Sequence, residues 1–193
     1  MPCSHCGHCH CHDKPAPAFA SVAEALEQKR PWVLGALARA CGISAMEAAM
    51  ALPTEMRVFA PAESFEQVWR GIVQWPHASL VCQQAGFGFK YSGSIPLGTL
   101  KGSIYHFSGT AGLNGHVRLD ALGKICFLTL PFMGHETCSI QFFDAHGDSM
   151  LAVHVGKTGS GLCPFSRDMF YAMRTKALKS EHDGAGQELS QAV

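Results

Sequence analysis

Hydrophobic spacing along the chain switches once, near Ser79: apolar residues follow a helical period before it and alternate after it. Ser21 with Glu24 and Ser44 with Glu47 match the capping box, in which a hydroxyl accepts the third helical N–H and the acid reaches back. Pro31 suits a first helical position, followed by Val33, Leu34, Leu37 and Ala38 on one face and Gly42 as the stop. Residues 45–52 predict a short helix that Pro53 ends. Ser64 with Gln67 opens another. There Phe65, Val68, Trp69, Ile72 and Val73 keep i, i+3, i+4, i+7, i+8 spacing, an apolar stripe that must pack inward.

Beyond Ser79 the alternation predicts strands at 80–83, 87–92, 103–108, 116–120, 124–132, 137–143 and 150–155, with a weaker one at 57–59. Asn114-Gly115 and the run Asp144-Ala145-His146-Gly147-Asp148 supply turn chemistry. No helix-length insert separates the strands, so antiparallel hairpins follow rather than βαβ units. A closing helix is predicted over 166–180, with Met169, Phe170, Met173 and Ala177 inward, before a frayed end. The fold class is α+β: small N-terminal helices, a long antiparallel β-meander and a C-terminal helix.

Composition narrows the function. Fifteen basic against fifteen acidic residues in 193 give zero net charge. That argues against nucleic-acid or anionic-membrane binding, which needs excess Lys and Arg. No run approaches the length of a membrane helix, and the N-terminus lacks the apolar stretch of a secretory signal. The odd total of 9 Cys argues for free thiols, and the expected setting is the cytoplasm. The segment 44–52 could mimic a recognition helix, but it carries no Lys or Arg and is read as packing. Cys163-Pro164 is equally well explained as the start of a helix.

Two candidate sites stand out. The first is the tract Cys3, His5, Cys6, His8, Cys9, His10, Cys11 and His12, whose thiolates and imidazoles suit zinc or another soft or borderline metal. Its spacing defines no single folded site, and Pro15 and Pro17 mark residues 1–18 as a tail and linker before one domain at 19–182 and a flexible end at 183–193. The second lies on the strands at 103–108 and 116–120. Alternation puts Ile104 and His106 on one face and Tyr105 and Phe107 on the other. Val117 and Leu119 face the core, leaving His116, Arg118 and Asp120 opposite. With Phe87, Phe89, Phe127 and Phe132 nearby, a His, a Tyr and an Arg fit a flat, apolar, anionic ligand such as haem.

The run from Leu52 to Thr158 resembles the cytosolic haem-utilisation carriers of bacterial haem-uptake operons, the HutX/ChuX type. The resemblance rests on Leu52-Pro53, Phe65-Glu-Gln-Val-Trp69, Trp75, Leu80-Val81, Tyr91-Ser-Gly93, Ile95-Pro96, Gly112-Leu-Asn-Gly-His116-Val117, Phe132-Met-Gly134, Ser139-Ile-Gln-Phe-Phe143 and Met150-Leu151 through Gly156, in order. It implies a haem-binding homodimer on split antiparallel sheets, handing haem to a degrading or storage partner. It places the family's candidate iron ligand on His116 and a second on Cys82, where some members have histidine; His106 and Tyr105 are the alternatives, and Arg118 would meet a propionate. The rival readings are a haem-opening enzyme and a metal-trafficking or redox-sensing protein acting through the tail.

Overall fold

In a computed structural model of the chain, residues 16–84, 86–109 and 112–190 are described, without the side chains of residues 84 and 180–190. The tract from Cys3 to His12 lies outside the described residues.

The N-terminal helices are α1 (Val22–Glu27), α2 (Leu34–Cys41) and α3 (Ala45–Met50). The Ser21 hydroxyl accepts the Glu24 N–H at 3.2 Å, and the Ser44–Glu47 capping box is complete. Gly42 closes α2 with φ +69, a left-handed conformation that costs glycine little. Pro31 does not open α2. The helix starts at Leu34 after an extended Val33, so residues 30–33 form an approach segment. The expected linker end is docked rather than free: the Ala18 N–H donates to the Ala40 carbonyl at 2.7 Å.

The strands are β1 (Arg57–Pro61), β2 (Ala78–Gln84), β3 (Phe87–Gly93), β4 (Gly98–Lys101), β5 (Ile104–Ser108), β6 (Asn114–Arg118), β7 (Leu122–Thr129), β8 (Cys138–Asp144), β9 (Ser149–Val155), β10 (Lys157–Thr158) and β11 (Gly161–Leu162). All named pairs are antiparallel. The α+β class holds, with hairpins in sequence order. The large sheet nevertheless runs β1-β7-β8-β9-β2-β3, and β4-β5-β6 forms a second sheet. The sequence reading missed β4, β10 and β11, which are two to four residues long and carry no clear alternation.

Helix α4 (Phe65–Val73) lies between the sheets. Its Ser64 does not cap it; that hydroxyl donates to the Pro61 carbonyl. Trp69 is fully buried, with its ring 5.1 Å from Phe107 of the small sheet and 6.2 Å from Phe142 of the large one. Helix α5 (Pro164–Ser190) runs further than predicted and seats Phe170 against Phe127. A second apolar cluster packs α1–α3 on the other face of the large sheet, through Phe59, Cys126, Leu128, Leu130 and Phe143. The alternation along β7 explains this, because Ile125 and Phe127 face one cluster and Cys126 and Leu128 the other.

Candidate functional site

The small sheet brings together part of the predicted site. β5 pairs β6 with His106 directly opposite His116, and the ring centroids lie 6.1 Å apart. Both imidazoles are exposed, while Tyr105, Phe107 and Val117 on the reverse face are buried. The outward face is an open depression bordered by Leu97, Thr99 and Lys101.

The remaining candidates are placed elsewhere or are engaged. Tyr105 is a core residue, 2% exposed, packed edge-on against Phe65 and accepting the Gly98 N–H through its hydroxyl at 2.9 Å. It cannot reach a ligand on the histidine face. Cys82 lies on β2 of the large sheet, on its core-facing side; burial pushes its thiol pKa up, which favours the neutral thiol over a ligating thiolate. Arg118 shares the histidine face but is held by Asp120 through two hydrogen bonds, at 2.8 and 3.1 Å. Of the aromatic residues expected around this face, Phe127 is core, and Phe132 borders a different cavity.

That cavity, of about 620 Å³, lies on the large sheet beside α2. Sheet register builds its floor. Ser92, Ser79, His154, Ser139 and Leu128 form one row across β3, β2, β9, β8 and β7. Lys90, Val81, Ala152 and Gln141 form the next. Trp32, Val33 and Leu34 make one wall, and Leu130, Phe132 and Leu162 line other parts of it. Trp32 is pinned. Its Nε1–H donates to the Ala25 carbonyl at 3.0 Å, and the Arg30 guanidinium sits 3.8 Å over its ring. Mid-floor, His154 is largely desolvated. Burial, then the nearby Lys90 charge, lowers its pKa, so the ring is neutral with a lone pair to offer. Lys90 and Lys157 supply cations at the lining.

Apolar walls, a neutral imidazole and flanking ammonium groups match the needs of a metalloporphyrin bearing carboxylates. The cavity falls within the volume range of small-molecule sites, roughly 300–1,000 Å³. Residues 58–172 match the protein family described as Haem utilisation ChuX/HutX. The chain belongs to the ChuX/HutX family. It is 26% identical over 137 residues to the intracellular heme transport protein HutX of Vibrio cholerae, covering 70% of this chain and 71% of HutX. A solved structure from Erwinia carotovora superimposes with a TM-score of 0.76 at 27% identity, covering 82% of this chain and 99% of that one. The heme-binding protein ChuX gives a TM-score of 0.72 at 22% identity, covering 81% and 98% respectively, and shares the fold.

In this ChuX/HutX chain, sequence reasoning found the histidine pair but missed His154, Lys90 and Trp32. A signal was available: His154 interrupts the apolar strand Leu151-Ala152-Val153-His154-Val155, at a position facing away from the main core. Among the described residues, no helix is long and apolar enough to cross a membrane.

Proposed function

We propose that this chain is a cytoplasmic haem carrier that holds haem in the large-sheet cavity and releases it unchanged to a degrading or storage partner. The single observation that carries the assignment of the seat is His154, a neutral imidazole at the centre of an apolar-walled cavity flanked by Lys90 and Lys157. The ring binds iron without first losing a proton. Trp32 and the leucines exclude water from the porphyrin faces, and the lysines meet the propionates at the margin. The family assignment supports the ligand class. Association as a homodimer belongs to the same proposal.

Hemin titration of the purified chain tests this. The expected result is a saturable Soret shift with quenching of tryptophan fluorescence, both weakened in His154→Ala and kept in His116→Ala. Loss in His116→Ala alone would move the seat to the small sheet, and the absence of any saturable shift would remove the carrier function. Decay of the Soret band with iron release under ascorbate, in the presence of catalase, would favour a haem-opening enzyme instead.

A further inference from the structure

The tip that joins β7 to β8, residues 130–137, stands at the margin of the large-sheet cavity. Strand pairing stops at Thr129 and Cys138, and beyond it Leu130, Phe132 and Thr137 contribute lining. The tip is stiff within itself. Phe132 and His135 exchange both backbone hydrogen bonds at 3.0 Å, and the Thr137 hydroxyl donates to the Leu130 carbonyl. Met133 and Gly134 turn the chain with φ +52 and +77, and Met133 is 70% exposed. A left-handed methionine is uncommon, and a two-residue turn of this kind usually carries asparagine before its glycine.

The tip is tied to the rest of the molecule at one place. Among the described residues, its side-chain hydrogen bonds to other elements all end on Glu136, which accepts from Arg167 Nε at 2.7 Å and from the Tyr171 hydroxyl at 2.6 Å, both on α5. The bonds from Arg167 and then Tyr171 hold the Glu136 pKa down. Burial, then the bond to Glu136, pushes the Tyr171 pKa up, so the acceptor stays ionised and the phenol stays a donor. The Glu136 and Arg167 side chains are nevertheless 39% and 43% exposed. Ion pairs this exposed are worth little, so the contact holds the tip without fixing it. A second cavity, of about 150 Å³, lies between the tip, the β10–β11 hairpin and the start of α5, and gives the tip room to shift.

We propose that residues 130–137 form a flap at the large-sheet cavity, held in place by a Glu136–Arg167–Tyr171 latch and released to let a ligand enter and leave. The flap moves as one body, because its internal bonds stay intact while the latch opens. Haem as the passing ligand rests on the proposed seat at His154; the flap itself rests on the latch geometry. Cys138 reports the motion. It is 1% exposed and lies under the latch, with its thiol 3.9 Å from the Glu136 carboxylate. Burial, then the Glu136 charge, pushes its pKa up to about 11, whereas the Arg167 charge lowers it. Removing Arg167 therefore makes the thiol less reactive if nothing moves.

The test treats the full-length chain, free of haem, with iodoacetamide and follows labelling of Cys138 by peptide mass spectrometry. The expected result is labelling about three- to tenfold faster in Arg167→Gln than in the parent, with fully buried Cys126 on β7 unchanged in both. Thermal melts verify that the variant remains folded. Cys138 labelling that is equal or slower, or that rises together with Cys126, overturns the flap. A second arm follows hemin uptake and its release to excess apomyoglobin. Both rates should rise about three- to tenfold in Arg167→Gln with affinity kept within about twofold. Faster release at unchanged uptake would make the latch a part of the binding wall and overturn its gating role. If His154→Ala leaves hemin binding intact, the seat fails, and Cys138 labelling still decides the flap.

Discussion

Trp69→Phe is the perturbation that best tests how the two sheets are joined. Trp69 is fully buried in α4, stacked on Phe65 at 5.4 Å and touching Tyr105, Phe107 and Phe142 at their ring faces or edges. Its Nε1–H donates to the Pro96 carbonyl at 3.0 Å, on the segment that carries the chain from β3 to β4. Phenylalanine keeps an aromatic ring but removes this bond. Losing a hydrogen bond and leaving its acceptor without a partner costs about 1–3 kcal/mol. The smaller ring leaves a void worth about 1 kcal/mol more. The expected destabilisation is therefore about 2–4 kcal/mol, a tolerable share of a typical stability of about 5–15 kcal/mol. Urea unfolding should show a lower midpoint at unchanged slope. Hydrogen exchange should accelerate most at the amides of β4–β6, because the lost bond tethers the crossover into that sheet. A loss below about 0.5 kcal/mol, or exchange that accelerates equally in β1, would refute the reasoning.

Two further substitutions probe the site's supports. In Gly98→Ala the new Cβ would collide with the His106 carbonyl oxygen and the Tyr105 ring, so the β4–β5 pair must shift; a loss of about 1–3 kcal/mol or more is expected in thermal melts. Gly88→Ala, where nothing lies within 4 Å, serves as the near-neutral control, and equal losses would discredit the packing account. His154 gives a pH dependence. Its folded pKa is depressed by burial and by Lys90, so the unfolded chain takes up a proton first as pH falls through about 6.5. Stability contributed by the neutral ring is present above that pH. It declines below it until the folded pKa is passed. Urea midpoints at about pH 7.5 and about pH 5.5 should differ less in His154→Gln than in the parent chain, and equal differences would contradict the assignment.

The helices and the main strands were legible because each depends on local spacing. The Ser44–Glu47 box, the Gly42 stop and the stripe of α4 all act within a few residues, and the structure reproduces them. Pro31 and Ser64 misled because a local preference yielded to packing: the chain stays non-helical from Arg30 to Val33, where Trp32 is buried and donates to the Ala25 carbonyl. Alternation also sorted the small sheet: it set His106 apart from Tyr105 and Phe107 and turned His116 away from the core, and the structure has both histidines outward. Tyr105, kept as an alternative ligand, has its ring turned into the core by the same alternation.

The cavity was not legible because no segment contains it. Ser79, His154 and Ser139 are far apart in sequence, and only the order β3-β2-β9-β8-β7 lays them in one row. That order requires β9 to return beside β2, a long-range pairing that hydrophobic period does not specify. The sequence alone determined the α+β class, the family and which residues face inward, because these follow from local periodicity and ordered motifs. The tertiary structure decided that His154 is partly buried, that Lys90 stands near it, and that His106 meets His116 across a strand pair. Burial and proximity set the protonation and reach of an imidazole, and both arise only when distant strands are brought side by side.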